Sequence, residues 1–276
     1  MWAGLRDKVF LMSYTFKPTN LAEIPELVQE YVETLSSPIE SFLEYHILNS
    51  QVYVISSMSA GDVGYFALYE KKLLTQFYLR PNVIKDGQQL FSAVLSHSEA
   101  ETAFIPTCDE LFLSHALDQE TSISKQAYFF RDDRKIEDKT YRDSDFRLAT
   151  QADIDDIRRI SGDYFEPLEA SVRKSELFVL RDANVLLGVG MIEPGRLLKG
   201  YSSVGIFTNE QFRQRGIGRN IIIRLKQLCY EHGQIPVAGC NYYNINSKKT
   251  LESAGMITQT RLLKVHFLAD PSSPSV

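Results

Sequence analysis

Cysteine is scarce in this chain of 276 residues: only Cys108, Cys229 and Cys240 occur, with no C-x-x-C pair. An odd, widely spaced set argues against a disulfide framework and points to a reducing, cytoplasmic setting. Long apolar runs are missing too. No stretch approaches about 18 uncharged apolar residues, so no membrane-crossing helix is expected. The opening Met1–Lys8 carries charge on both sides of any short apolar run, unlike a secretory leader. The five histidines fall neither at i, i+4 nor beside a cysteine pair, which leaves a metal site without support. A formal net charge of −5 lacks the basic excess of a dedicated nucleic-acid binder. Glycine is scarce in one region in particular. Of 15 glycines, only Gly4, Gly61, Gly64 and Gly87 precede residue 141. The second half therefore needs close backbone approach that the first does not.

What is present is ordinary for a globular protein, with 44% hydrophobic and 24% charged residues. The length suits two domains. Arg131–Asp145 is almost wholly charged and predicts an exposed connector, between a first domain at 1–130 and a second at 146–269. The polar, Pro-containing residues 270–276 predict a frayed tail. In the second half, strands are expected at 146–150, 177–180, 185–192, 201–208, 236–240 and 260–268. Helices are expected at 155–160, 217–232 and 247–254. The first half repeats this order: strands at 51–57, 63–69, 73–79, 103–106 and 125–130, with helices at 87–97 and 109–117. Gly64–Leu68 echoes Gly188–Ile192, and Lys72-Leu73-Leu74 echoes Arg196-Leu197-Leu198. The reading is α+β: a duplicated fold, each copy a mixed central sheet flanked by helices.

The strand 201–208 runs into Arg213-Gln214-Arg215-Gly216-Ile217-Gly218-Arg219, which opens the most regular helix of the chain. Two glycines around one residue let backbone N–H groups turn inward. A helix N-terminus adds unpaired donors and about half a positive charge. Three arginines add formal charge, so the segment predicts a phosphate cradle. It lacks the G-x-x-x-x-G-K-[ST] of a Walker loop. Ile221 also stands where a dinucleotide-binding fingerprint needs Gly or Ala.

Arg213–Gly218 resembles the [QR]-x-x-G-x-[GA] signature of the GNAT superfamily of acyl-CoA-dependent N-acetyltransferases. Asn244-Ile245-Asn246-Ser247, followed by Leu251 and Gly255-Met256, is similar to that family's closing segment. Phe146–Thr150 with Asp153 resembles its opening strand and helix. The resemblance implies acetyl-CoA as co-substrate and a primary amine, of a small molecule or a protein, as acceptor. Backbone groups of Ile206, Phe207 and Thr208 would then hold the pantetheine arm, and a donor near Gly205 or Ile206 would polarise the thioester. Arg213, Gln214, Arg215, Gly216, Ile217, Gly218 and Arg219 would take the pyrophosphate, and Asn244 and Ser247 would contact the thiol end.

The sequence departs from the family at Leu251, where many members carry a tyrosine acid. Tyr242 and Tyr243 are candidate substitutes, with aromatic packing the alternative for both. Glu193 and Glu210 are candidate bases, against the plainer reading of solvated carboxylates. Cys240 reads as a small buried thiol. In the first half the loop after Leu79, Arg80–Gln89, offers one glycine and no matching signature, and Pro81 removes a donor. That half is expected to be a degenerate copy. Its Tyr53, Tyr65, Phe66, Tyr69, Phe77 and Tyr78 belong by default to a core. A non-catalytic acyl-CoA-binding or interaction module is the competing reading of the whole chain.

Overall fold

A computed structural model describes residues 13–133, 135, 136 and 145–267. The chain divides into two compact units. The first holds residues 13–37, Phe42–Ala127 and the strand residues from Thr260; the second holds Pro38–Ser41 and Tyr128–Gln259.

The first unit begins with strand β1 (Tyr14–Thr19) and helices α1 (Pro25–Thr34) and α2 (Ser41–Leu48). None of these three is predicted from the sequence. Pro25 suits the first turn of α1, where its missing N–H is no loss. Strands β2 (Gln51–Ser57), β3 (Gly61–Tyr69) and β4 (Leu73–Leu79) follow, then α3 (Gly87–His97), β5 (Thr102–Pro106), α4 (Glu110–Leu117) and β6 (Glu120–Asp132). Strands β1 to β4 pair antiparallel in sequence order, and β5 joins β4 in parallel. The last strand of the chain, β12 (Met256–Phe267), sends Leu262–His266 alongside β5. The core gathers Ile55, Phe66, Phe77, Phe91 and Phe112 with Val265.

The second unit repeats the pattern: β7 (Phe146–Leu148), α5 (Ile154–Ser161), α6 (Leu168–Arg173), β8 (Leu177–Asp182), β9 (Val185–Pro194), β10 (Tyr201–Thr208), α7 (Ile217–Glu231), β11 (Ile235–Asn241) and α8 (Ile245–Ser253). Its strand order is β6-β11-β10-β9-β8-β7. Thr150 and Asp153 form a reciprocal cap ahead of α5, and Asp153 also pairs with Arg147 and Arg181. Helix α7 buries Ile217, Ile221, Ile222 and Leu225 on the sheet. Over four residues the two copies match in register: Gly64 faces Leu79 as Gly188 faces Thr208, and Ala67 faces Gln76 as Met191 faces Gly205; a bulge after Ala67 then breaks the match.

The structure differs from the sequence-based boundaries in two places. Thr260–Phe267 groups with the first unit, because its apolar face packs there through Val265 and Phe267. Arg131 and Asp132 continue β6 and do not begin a connector. The Asp132 side chain is buried, because Lys226 pairs with it at 2.5 Å and the Tyr230 hydroxyl donates to it. Neutralised charge of this kind looks, in sequence, like a solvated run. Residues 134 and 137–144 of the expected connector, and the expected tail, lie outside the described residues.

Candidate active site

Strand β10 is paired along its whole length on one side and along less than half on the other. Toward β9 the register runs from Ser202↔Pro194 to Thr208↔Gly188. Toward β11 it covers only Tyr201↔Ile235, Ser202↔Pro236 and Ser203↔Val237. Beyond Ser203 the two parallel strands part. Backbone donors and acceptors from Val204 to Thr208 then face a gap where an extended ligand could add as a further strand.

The gap widens into a groove of about 540 Å³. Ile206, Phe207, Thr208, Arg213, Gln214, Gly216, Ile217, Gly218, Arg219, Asn244 and Ser247 all line it, so eleven of the twelve expected cofactor residues come together. The exception is Arg215, whose guanidinium lies over the Phe212 ring at 5.3 Å. The loop reaches this shape through left-handed backbone at Gln214 (φ 64°) and Gly216 (φ 76°). Gly218 answers a different need. A Cβ there would come within 2.9 Å of Ile206 Cδ1 and 3.1 Å of Thr208 Oγ1, so glycine brings the first turn of α7 against β10. The opening of that helix faces the groove, a helix start being where N–H groups have no partner within the helix, and Arg213, Arg219 and Lys249 make this end cationic.

Asn244 caps α8 by accepting from the Ser247 N–H at 3.0 Å. Ser247 also touches Cys240, whose thiol burial pushes up to about 11. A thiol so shifted is a poor nucleophile near neutrality, in keeping with the plain reading of Cys240. Neither candidate acid, Tyr242 or Tyr243, lines the groove. Tyr242 stacks on Tyr128 at 4.7 Å and 12°, while Tyr243 is exposed. Leu251 is buried in the core among the α7 side chains. Glu210 holds Arg213 at 3.0 Å on the surface. Glu193 sits at the far end of β9, opposite Ser203.

Sequence reading missed Tyr164, which lines the groove and packs against Phe207 at 5.5 Å. Loss of hydration, then the charges of Glu40, Glu193 and Cys240, raises its phenol above the ordinary value. It missed Glu40 as well, a buried carboxylate that arrives from a segment 124 residues earlier than Tyr164. No local pattern in the sequence marks either residue.

The first unit opens in the same way but fills the opening differently. β4 and β5 pair only at Leu73↔Thr102 and Leu74↔Ala103, then part. Where β10 has Gly205, β4 has fully buried Gln76, beside buried Tyr31, Tyr65 and Asp109. Where the second unit places its glycine loop, Arg80 is clamped by Glu30 at 2.8 Å. Carboxylates at that end oppose an anionic ligand. Of the expected core aromatics, Tyr65, Phe66, Phe77 and Tyr78 are buried; Tyr53 and Tyr69 are half-buried.

Residues 20–133 match the acetyltransferase (GNAT) domain family. That match falls on the half whose loop lacks the signature. No curated protein matches the chain. Among solved structures, a GNAT-family acetyltransferase from Colwellia psychrerythraea superposes with a TM-score of 0.82 at 16% identity, covering 92% of this chain and 100% of its own. A tandem GNAT protein from the clavulanic acid biosynthesis pathway gives 0.63 at 12% identity, over 94% and 100%. A GCN5-related N-acetyltransferase from Sphaerobacter thermophilus gives 0.60 at 12%, over 92% and 96%. At such identities the likeness is one of fold, and it extends over both halves. The domain match covers residues 20–133, and the fold shared with solved GNAT proteins extends over both units.

Proposed function

We propose that the second unit transfers an acetyl group from acetyl-CoA to a primary amine by direct attack, and that the first unit carries no working cofactor loop. The observation that carries this reading is the parting of β10 from β11 after Ser203, with the Arg213–Arg219 turn at its far end. Backbone groups of Val204–Thr208 bind the pantetheine as an added strand. The α7 N-terminus with Arg213 and Arg219 takes the pyrophosphate. Gly205 leaves room for the thioester: a Cβ there would reach only Met191, at an ordinary 3.7 Å. Holding donor and amine together in reacting geometry is one source of acceleration in such a site. The amine nitrogen attacks the thioester carbonyl, the C–S bond breaks, and the amine proton leaves to solvent or a nearby carboxylate.

One observation favours a second reading, a non-catalytic acyl-CoA-binding module. Leu251 is buried in the core, and neither Tyr242 nor Tyr243 lines the groove. Thiolate departure then depends on water or on Tyr164.

Titration calorimetry with acetyl-CoA, on the wild type and on Gly218→Val, tests the cofactor site. The wild type is expected to bind, and the valine to weaken binding by about tenfold or more, since its methyls enter the space between Ile206 and Thr208. Equal binding by both overturns the assignment. Thiol release with a panel of amines separates enzyme from module.

A further inference from the structure

We infer that Glu40 receives the acceptor amine as its ammonium ion, so that the acceptor is an aliphatic, net-cationic amine. This rests on the cofactor assignment above. Residues of β10 on the face away from α7 form a row: Phe207, Gly205 and Ser203, while Val204 and Ile206 on the other face join the α7 core. Tyr164 packs at the Phe207 end. Met191 lies beside Gly205, and Glu193 is paired in register with Ser203. The Ser41 N–H donates to Ser203 Oγ at 2.8 Å, which ties the segment Pro38–Ser41 to this end of the row. Glu40 directly precedes Ser41, and its carboxyl lies over Gly239. A Cβ at Gly239 would stand 2.7 Å from the carboxyl carbon and 2.8 Å from Oε2. Gly239 is two residues past Val237, the last residue of β11 paired to β10.

The Glu40 carboxylate is therefore held at the fork where the strands part. It is only 8% exposed, on a glycine that makes space for it. Arg213, Arg219 and Lys249 line the loop end of the groove and suit the donor's phosphates, whereas Glu40 and Glu193, near enough to act on the groove residue Tyr164, bring negative charge toward the other end. The Tyr164 phenol is raised first by loss of hydration and then, in smaller part, by these two carboxylates. An aromatic amine, uncharged at neutral pH, gains nothing from this field. A zwitterionic amino acid brings its own carboxylate into repulsion with it. Glu40 is thus a specificity residue, supplied from the first half of the sequence to the site of the second.

The test measures n-butylamine, aniline and 4-aminobutyrate, both by direct calorimetric titration and as acceptors with acetyl-CoA. n-Butylamine is expected to bind the wild type and to be preferred by about tenfold or more over the other two. Glu40→Gln is expected to raise the KM of n-butylamine by about tenfold or more while the Kd of acetyl-CoA stays unchanged. Glu40→Asp should recover part of the loss. Should Glu40→Gln fold poorly by circular dichroism, Gly239→Ala displaces the same carboxylate from the neighbouring strand and should raise the same KM. Equal use of the three amines, or unchanged n-butylamine binding in the variants, overturns the inference. Amine titration needs no donor. A wild type that binds n-butylamine through Glu40 but not acetyl-CoA refutes the cofactor reading and leaves this inference standing; the converse refutes only this one.

Discussion

At the scale of single residues, position decides chemistry more than type does. Gly205 and Gln76 occupy matching places on β10 and β4, yet one leaves space beside a strand gap and the other fills it with a buried amide. Asp109 lies in that filled region. Burial pushes its carboxyl up to about 7, while one of its oxygens accepts the Phe112 N–H at the start of α4. The folded state keeps this proton between its ordinary 3.8 and about 7, where the unfolded chain has released it. Stability therefore falls as pH rises through that window and levels off above it. Asp109→Asn retains the acceptor for Phe112 and removes the titration. Urea unfolding at about pH 5 and about pH 8 should show a drop for the wild type and a nearly flat response for the variant. A drop of equal size in both would assign the pH effect to another group.

At the scale of elements, close packing of helix α7 accounts for three of the second unit's glycines. Gly188 and Gly190 on β9 lie directly under it: a Cβ at 190 would stand 2.8 Å from Ile221 and 3.0 Å from Leu225. Gly218 draws the start of the same helix onto β10. Gly190→Ala should cost about 1–3 kcal/mol through overpacking, read as a lower urea midpoint with the secondary structure retained. These contacts were partly legible beforehand. The recurrence of Ile217, Ile221 and Leu225 predicts the helix, and Gly216 and Gly218 predict the turn that starts it. Hidden from the sequence was the contrast between the two edges of β10, because one strand's residues do not tell where its neighbour departs.

At the scale of the whole molecule, each half of the sequence is completed by residues from elsewhere. The chain's last strand lies beside β5, so a chain ending at Gln259 should leave the first unit without an apolar partner for Ile105. Such a truncation is expected to abolish protection from hydrogen exchange in β5, and retained protection there would sink the prediction. The element order, the repeat, the turn that opens α7 and the eleven residues that meet along one groove were legible in sequence, because periodicity, turn chemistry and helix starts act over a few residues at a time. That Thr260–Phe267 joins the first unit, that the Asp132 side chain is buried on Lys226, that Tyr164 reaches the groove beside Phe207 and that Glu40 lies over Gly239 were decided only by tertiary structure. Burial and charge pairing depend on distance in space, and residues more than a hundred positions apart carry no local mark of meeting. The scarcity of glycine before residue 141 follows the same division: the first unit fills its opening with side chains, and the second keeps its opening clear.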